Sequence, residues 1–172
     1  ILPEMRQFVH KFDYNDLAKV EQYFETYPGE IAAVITEAVE VERPKEGFLA
    51  QLKELCHRNG ALLIFDEVVN GFRFSIGGAQ AYFGVTPDLS TFGKAAANGM
   101  PLSVVAGRKD IMEEVDKKIF ISTTFGGDCL SLAAGIAVMK ELESGDVIKA
   151  IWAKGKYLQD NFRRLAKDID VP

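Results

Sequence analysis

Three short segments carry residue types that could do chemistry. Asp66-Glu67 directly follow the apolar run Ala61-Leu62-Leu63-Ile64-Phe65. A buried strand that ends this way places carboxylates at a sheet rim, where open α/β sheets bind ligands. A helix cap or a solvated turn is the plainer use of such an Asp. The same pattern describes the magnesium-holding strand of P-loop nucleotide hydrolases, but the phosphate loop G-x-x-x-x-G-K-[ST] does not occur. Lys94 stands between Gly93 and three alanines, Ala95 to Ala97. Desolvation among small residues favours the neutral amine that a Schiff-base lysine requires, whereas an exposed loop lysine is the ordinary alternative. Finally, Ser122-Thr123-Thr124-Phe125-Gly126-Gly127 precede a small and apolar stretch. Hydroxyls and glycine amides at a helix N-terminus suit phosphate, although a capping loop alone explains them.

The elements that must position these residues read as one continuous α/β unit with a helical tail. Asn15 and Asp16 can cap a helix carrying Leu17, Val20 and Phe24 and ending before Pro28-Gly29. Ile31 to Ile35 is a short apolar run, expected to be a strand buried on both faces. A helix over about 46–59, stopped by Asn59-Gly60, turns Phe48, Leu49, Leu52 and Leu55 inward. Strand, helix and then the strand Ala61–Phe65 make a βαβ crossover, hence a parallel sheet. Asp88 to Phe92 and Leu102 to Ala106 are further strands. The stretch Asp128 to Met139 predicts a helix buried all round. Asp146 is expected to cap a last helix whose stripe of Ile148, Ile151, Trp152, Gly155, Leu158, Phe162 and Leu165 packs into a core.

Composition narrows the function classes. In 172 residues, 20 Lys+Arg face 25 Asp+Glu, a net charge of −5. That balance argues against nucleic acid or an anionic membrane surface as partner. Two cysteines, Cys56 and Cys129, and two histidines, His10 and His57, imply neither a disulfide framework nor a metal site. No apolar stretch reaches the roughly 18 residues of a membrane helix. Ile1 opens no signal peptide, so a reducing, cytoplasmic setting is expected. The start at Ile1-Leu2-Pro3 suggests a fragment.

In order along the chain stand Asp66-Glu67-Val68-Val69-Asn70-Gly71-Phe72-Arg73, Gly77-Gly78-Ala79-Gln80, Tyr82 to Leu89, and Gly93-Lys94 through Gly99-Met100-Pro101. This series resembles the class III pyridoxal-phosphate aminotransferases. The Gly-Phe-Arg and Gly-Gly-Ala-Gln pieces are most similar to the glutamate-1-semialdehyde aminomutase branch. The resemblance runs from about Tyr14 to Gly135. It implies a three-layer, mainly parallel open sheet (the large domain of fold type I) followed by the start of a smaller α+β domain. Residues 1–140 would be the C-terminal part of the cofactor-binding domain and 141–172 a connecting helix. The implied cofactor is pyridoxal 5'-phosphate. Asp66 would pair with its pyridine nitrogen, Val68 would pack on the ring, and Lys94 would hold it as an internal aldimine and later shuttle the Cα proton. Thr124 matches the phosphate-binding threonine that reaches the cofactor of a neighbouring subunit, which implies a homodimer. Glu37 matches the active-site Glu.

Two departures stand out. Glu37 precedes Ala38 where the family shows Pro, and Gly126-Gly127-Asp128-Cys129 replaces the usual Gly-Gly/Ser-Asn-Pro. The glycine-and-serine phosphate loop and the ring-stacking aromatic are not found in these residues, so the isolated chain is expected to be inactive. The resemblance implies amino-group transfer, either to a keto acid or between neighbouring carbons of one substrate. A non-catalytic dimerisation or binding module, and a nucleotide-hydrolysing α/β domain, are the alternatives from other classes. Arg73 could contact a substrate anion or support the loop after Asp66, while Gln80 and Asn98 stay open.

Overall fold

The structure, a computed structural model, describes residues 2–169, so the readings at Ile1 and at 170–172 lie outside the described residues. Its elements in chain order are α1 (Pro3–Arg6), α2 (Leu17–Thr26), β1 (Ala33–Thr36), α3 (Phe48–Arg58), β2 (Leu62–Asp66), α4 (Gly78–Phe83), β3 (Leu89–Phe92), a 3-10 turn (Lys94–Ala96), β4 (Val104–Gly107), α5 (Lys109–Lys118), α6 (Cys129–Glu143) and α7 (Asp146–Asp168). The four strands lie in the order β1-β2-β3-β4. The first three are parallel and β4 is antiparallel to β3. This is an α/β fold with a mostly parallel sheet, as expected.

One face of the sheet makes the core. Val34, Leu63 and Phe65 are buried with Phe48, Leu49, Leu52, Leu55 and Cys56 of α3 and Val20 and Phe24 of α2. The period-2 alternation sends the intervening residues to the other face. There Ile35 is 58% exposed and Leu62 and Ile64 are only half-buried. The expectation that the first apolar run is buried on both faces is therefore corrected: on the far face of β1 Ala33 is only half-buried and Ile35 is exposed. Asp16 caps α2 by accepting from the Lys19 amide at 3.0 Å. Asn15, the other expected cap, instead uses its side chain to hold Arg43 O and the Lys45 amide.

The tail departs further from expectation. In α6 only Ser131, Gly135 and Leu142 are buried, whereas Leu130 and Ile136 are 62% and 57% exposed. In α7 no residue is buried. Asp146 sits in the first turn of α7 with Gly145 at the cap. Hydrophobic pattern shows that a helix face wants cover, but cannot say that the same chain supplies it. Trp152 is the tie: its Nε1 donates to Arg73 O at 2.9 Å, and its ring packs on Phe74 and Tyr82.

At the amino ends of β2 and β3 a polar cluster locks the sheet. Asp88 is buried and accepts from the Leu63 amide at 2.8 Å, Arg108 Nη1 at 2.9 Å and His57 Nε2 at 2.9 Å. Burial opposes its charge, but the Leu63 amide, Arg108 and His57 together hold its carboxyl below the ordinary value. Beside it, burial first and the Asp88 charge second push the Cys56 thiol up to about 12, so this cysteine is inert packing. Asp88→Asn removes the charge that Arg108 and His57 bond. Because Arg108 is half-exposed and keeps Asp110 as a partner, the expected cost is about 1–2 kcal/mol at neutral pH, read by urea unfolding. Because the folded value is lowered, this contribution is complete above the unfolded value of 3.8 and fades as pH falls through the folded one. The gap between wild type and variant should therefore close in acid.

Candidate active site

Asp66 is the last residue of β2, at the carboxyl rim of the parallel strands. Thr91 of β3 lies opposite it in register, and its Oγ1 donates to Asp66 Oδ1 at 3.2 Å. The Val68 amide donates to the same oxygen at 2.9 Å, folding the chain over as it leaves the strand. Among the described residues Oδ2 receives no hydrogen bond, and Asp66 is half-buried. Gly93 is buried one residue past β3, and a Cβ there would meet Val68 Cγ1 at 3.5 Å and Leu102 O at 3.7 Å. Val68 and Gly93 thus form a small-residue floor next to the carboxylate.

Lys94 follows at once, opening the 3-10 turn with a φ of 42°. Positive φ at a non-glycine residue costs on the order of 1 kcal/mol or more and is kept where the surroundings demand that conformation. Register brings Lys94 to the same rim as Asp66, because Thr91, three residues earlier, pairs with Asp66. The expected shelter does not form within this chain: the Lys94 side chain is exposed. Ala96 and Ala97 are buried, whereas Lys94 between them and Gly93 stays exposed.

Glu37 stands one residue past the Thr36–Phe65 pair, level with Asp66 on the neighbouring strand. Its Oε2 accepts from Asn70 Nδ2 at 2.8 Å. Nearby, Tyr14 Oη donates to Ala38 O at 2.7 Å. Burial first, then the charges of Glu40, Glu42 and Glu37, raise the Tyr14 hydroxyl above its ordinary value, keeping it a donor. Thr124 lies in an exposed turn before α6 and makes no hydrogen bond among the described residues. No hydrogen bond among the described residues ties it to Asp66 or Lys94. Asp128, not the hydroxyls before it, caps α6, accepting from the Ser131 amide at 2.8 Å.

Two roles escaped the sequence. Glu67 is fully buried, and its Oε2 and Oε1 accept from the Ala79 and Gln80 amides at 2.6 and 2.9 Å. It pins α4 to the strand end, and a Cβ at Gly78 would strike Glu67 Oε2 at 2.5 Å, so the glycine is required. The Gly77-Gly78 pair downstream was the available signal. Gln80 also donates to Ser90 Oγ at 3.0 Å. Arg73 contributes its carbonyl to Trp152 while the residue itself is exposed, and Asn98 is exposed with a φ of 45°.

The donor set suits a pyridoxal-type group: a rim carboxylate with one open oxygen, a small-residue floor and a primary amine on the adjacent strand end. Among the described residues, no group of three or more His, Cys, Asp or Glu could hold a metal ion, and no helix is long and apolar enough to cross a membrane.

Known proteins resemble this chain in sequence and in fold. The chain is 44% identical over 163 residues to the glutamate-1-semialdehyde 2,1-aminomutase of Alkaliphilus oremlandii, covering 91% of this chain and 38% of that protein. It is 36% identical over 178 residues to the 3-aminobutyryl-CoA aminotransferase of Cloacimonas acidaminovorans, covering 100% of this chain and 43% of that protein. The FumI protein of Sphingopyxis sp. MTA144, solved in its PLP internal aldimine form, superposes with a TM-score of 0.90 at 27% identity over 98% of this chain and 42% of that one. The chain thus spans about two-fifths of the length of these relatives. Residues 3–172 match the class-III aminotransferase model, and the chain belongs to that family.

Proposed function

We propose that the full-length protein binds pyridoxal phosphate and moves an amino group, with Asp66 and Lys94 as its catalytic residues. The observation that carries this reading is the pairing of an Asp66 carboxylate, open at Oδ2, with Lys94 at the ends of adjacent parallel strands. When bound, pyridoxal phosphate supplies an electron-withdrawing ring that stabilises negative charge on the carbon bearing the amine. Asp66 Oδ2 would accept from the ring N–H and keep that proton in place. Its other oxygen is already held by Val68 and Thr91, so the carboxylate is pre-aimed and needs little reorganisation. Val68 would pack on the ring face. Lys94 Nζ would hold the group covalently and, once released, move the proton of the substrate Cα.

The further roles rest on the family match. Thr124 would reach the phosphate from a second copy of the protein, making a homodimer with shared sites. Residues 1–140 would belong to the cofactor-binding domain and 141–172 would lead into the next. Without the rest of the protein, the 172 residues alone would show little activity. Similarity to the aminomutase favours exchange of amino and oxo groups on neighbouring carbons of one small substrate. Similarity to an aminotransferase supports the second reading, transfer to a separate keto acid.

The test uses the full-length protein. Pyridoxal phosphate is added, the visible spectrum recorded, the protein reduced with borohydride and the labelled peptide mapped. A visible imine band with the label on Lys94 is expected. A protein that shows no such band and carries no label at Lys94 would refute the reading.

A further inference from the structure

The turn that follows Asp66 contains a buried amide whose contacts reach across to the neighbouring strand. Asn70 is 6% exposed, and its Nδ2 donates to Glu37 Oε2 at 2.8 Å and to Val39 O at 2.8 Å. Both amide hydrogens are therefore used. The amide has one sensible orientation, since a flip would set its oxygen against two acceptors. Asn70 itself is fixed from the β2 side. The Gly71 amide donates to Glu67 O at 2.8 Å, the Val68 amide holds Asp66 Oδ1, and the Glu67 amide donates to Thr91 O at 2.9 Å. Residues 66–71 form a tightly folded turn, and Asn70 is the arm by which it grips the segment after β1.

The consequence concerns Glu37. It leaves β1 level with Asp66, and neighbouring strands lie about 4.8 Å apart. Two carboxylates so placed repel each other, and a half-exposed glutamate in a loop would otherwise sample several rotamers. Asn70 opposes both tendencies. It binds one oxygen of Glu37 and, through Val39 O, the backbone two residues further on. Among the described residues Glu37 Oε1 receives no hydrogen bond, so it is left for a donor from outside this set.

We propose that Asn70 is a positioning residue: it sets the Glu37 carboxylate in a fixed place beside Asp66, so that the two acids form one preorganised rim of the site. This inference rests on the functional reading above. It assigns no contact of Asn70 with substrate or cofactor, because its amide is spent on Glu37 and Val39.

A double-mutant cycle in the full-length holoenzyme tests it. Asn70→Leu removes both donors in a side chain of similar size, and Glu37→Met removes the acceptor. Asn70→Ser, which keeps one donor, replaces Asn70→Leu if the latter does not fold. For wild type, both single variants and the double variant, two quantities are measured: the dissociation constant of pyridoxal phosphate from the unreacted protein, and kcat/KM. With Glu37 present, Asn70→Leu is expected to change at least one of them about tenfold. In the Glu37→Met background the same change should fall below about twofold, because the group it acts through is gone. The lost bond to Val39 O lowers the melting temperature in both backgrounds alike and serves as the structural control. Equal effects of Asn70→Leu with and without Glu37 would overturn the inference. So would a Glu37→Met variant indistinguishable from wild type. Neither of these touches the borohydride label on Lys94; loss of that label in the wild-type protein is a separate result, which would remove the functional reading and this inference with it.

Discussion

Lys94→Ala in the full-length protein is expected to lower amino-group transfer by at least about 10⁴-fold and to abolish covalent capture of pyridoxal phosphate. The size of the effect follows from one nitrogen doing two jobs, holding the group covalently and carrying a proton. The fold should be indifferent. The Lys94 side chain is exposed and makes no hydrogen bond among the described residues, so its truncation should change stability by no more than about 0.5 kcal/mol. The backbone turn survives because the Asn98 amide to Lys94 O bond, 3.0 Å, uses no side-chain atom. Lys94→Arg separates charge from chemistry: it keeps a cation at the rim but not an amine that can be deprotonated. Both variants should be equally inactive. Appreciable turnover by either, measured with the melting temperature unchanged, would mean that the amine is supplied elsewhere.

The second large effect concerns charge at Asp66. Asp66→Asn is expected to reduce turnover about 10³-fold while leaving the cofactor bound. The substitution is chosen from the geometry. Both structural hydrogen bonds, from the Val68 amide and Thr91 Oγ1, fall on one oxygen, and an Asn carbonyl can accept both. What is lost is the negative charge and with it the grip on a protonated ring nitrogen. An unaltered melting temperature with a collapsed rate is the expected pair of readings. A rate within a few-fold of wild type would show that Asp66 is a structural strand end and no more.

The rim position of these two residues was legible because each follows a run that reads as a strand. A carboxylate that interrupts an apolar run must lie where the strand leaves the core, and Gly93-Lys94 directly follow the strand Leu89–Phe92. The parallel β1–β2 pair was legible for a related reason, since two apolar runs joined by an amphipathic helix have one economical arrangement. Glu67 was not legible as an anchor, because its partners, the Ala79 and Gln80 amides, become neighbours only when α4 folds back on the strand end. Nor was the Asp88 cluster, which draws His57 from α3 and Arg108 from beyond β4. The antiparallel direction of β4 depends likewise on how the chain returns after the 3-10 turn. The shelter expected for Lys94 failed in a third way, since sequence neighbours line the backbone while exposure of a long side chain is decided at its tip.

By itself, the amino-acid sequence determined the four strands, the helices α2, α3, α6 and α7 and the family to which the chain belongs, but not α1, α4 or α5. Hydrophobic periodicity and punctuation act over a few residues and can be read locally. The tertiary structure alone decided which carboxylates are held and which are open: Asp66 through Thr91, Glu37 through Asn70, Glu67 through α4 and Asp88 through His57 and Arg108. Hydrogen bonds join groups by distance in space, and only the packed chain brings residues 31 or 33 positions apart to within 3 Å.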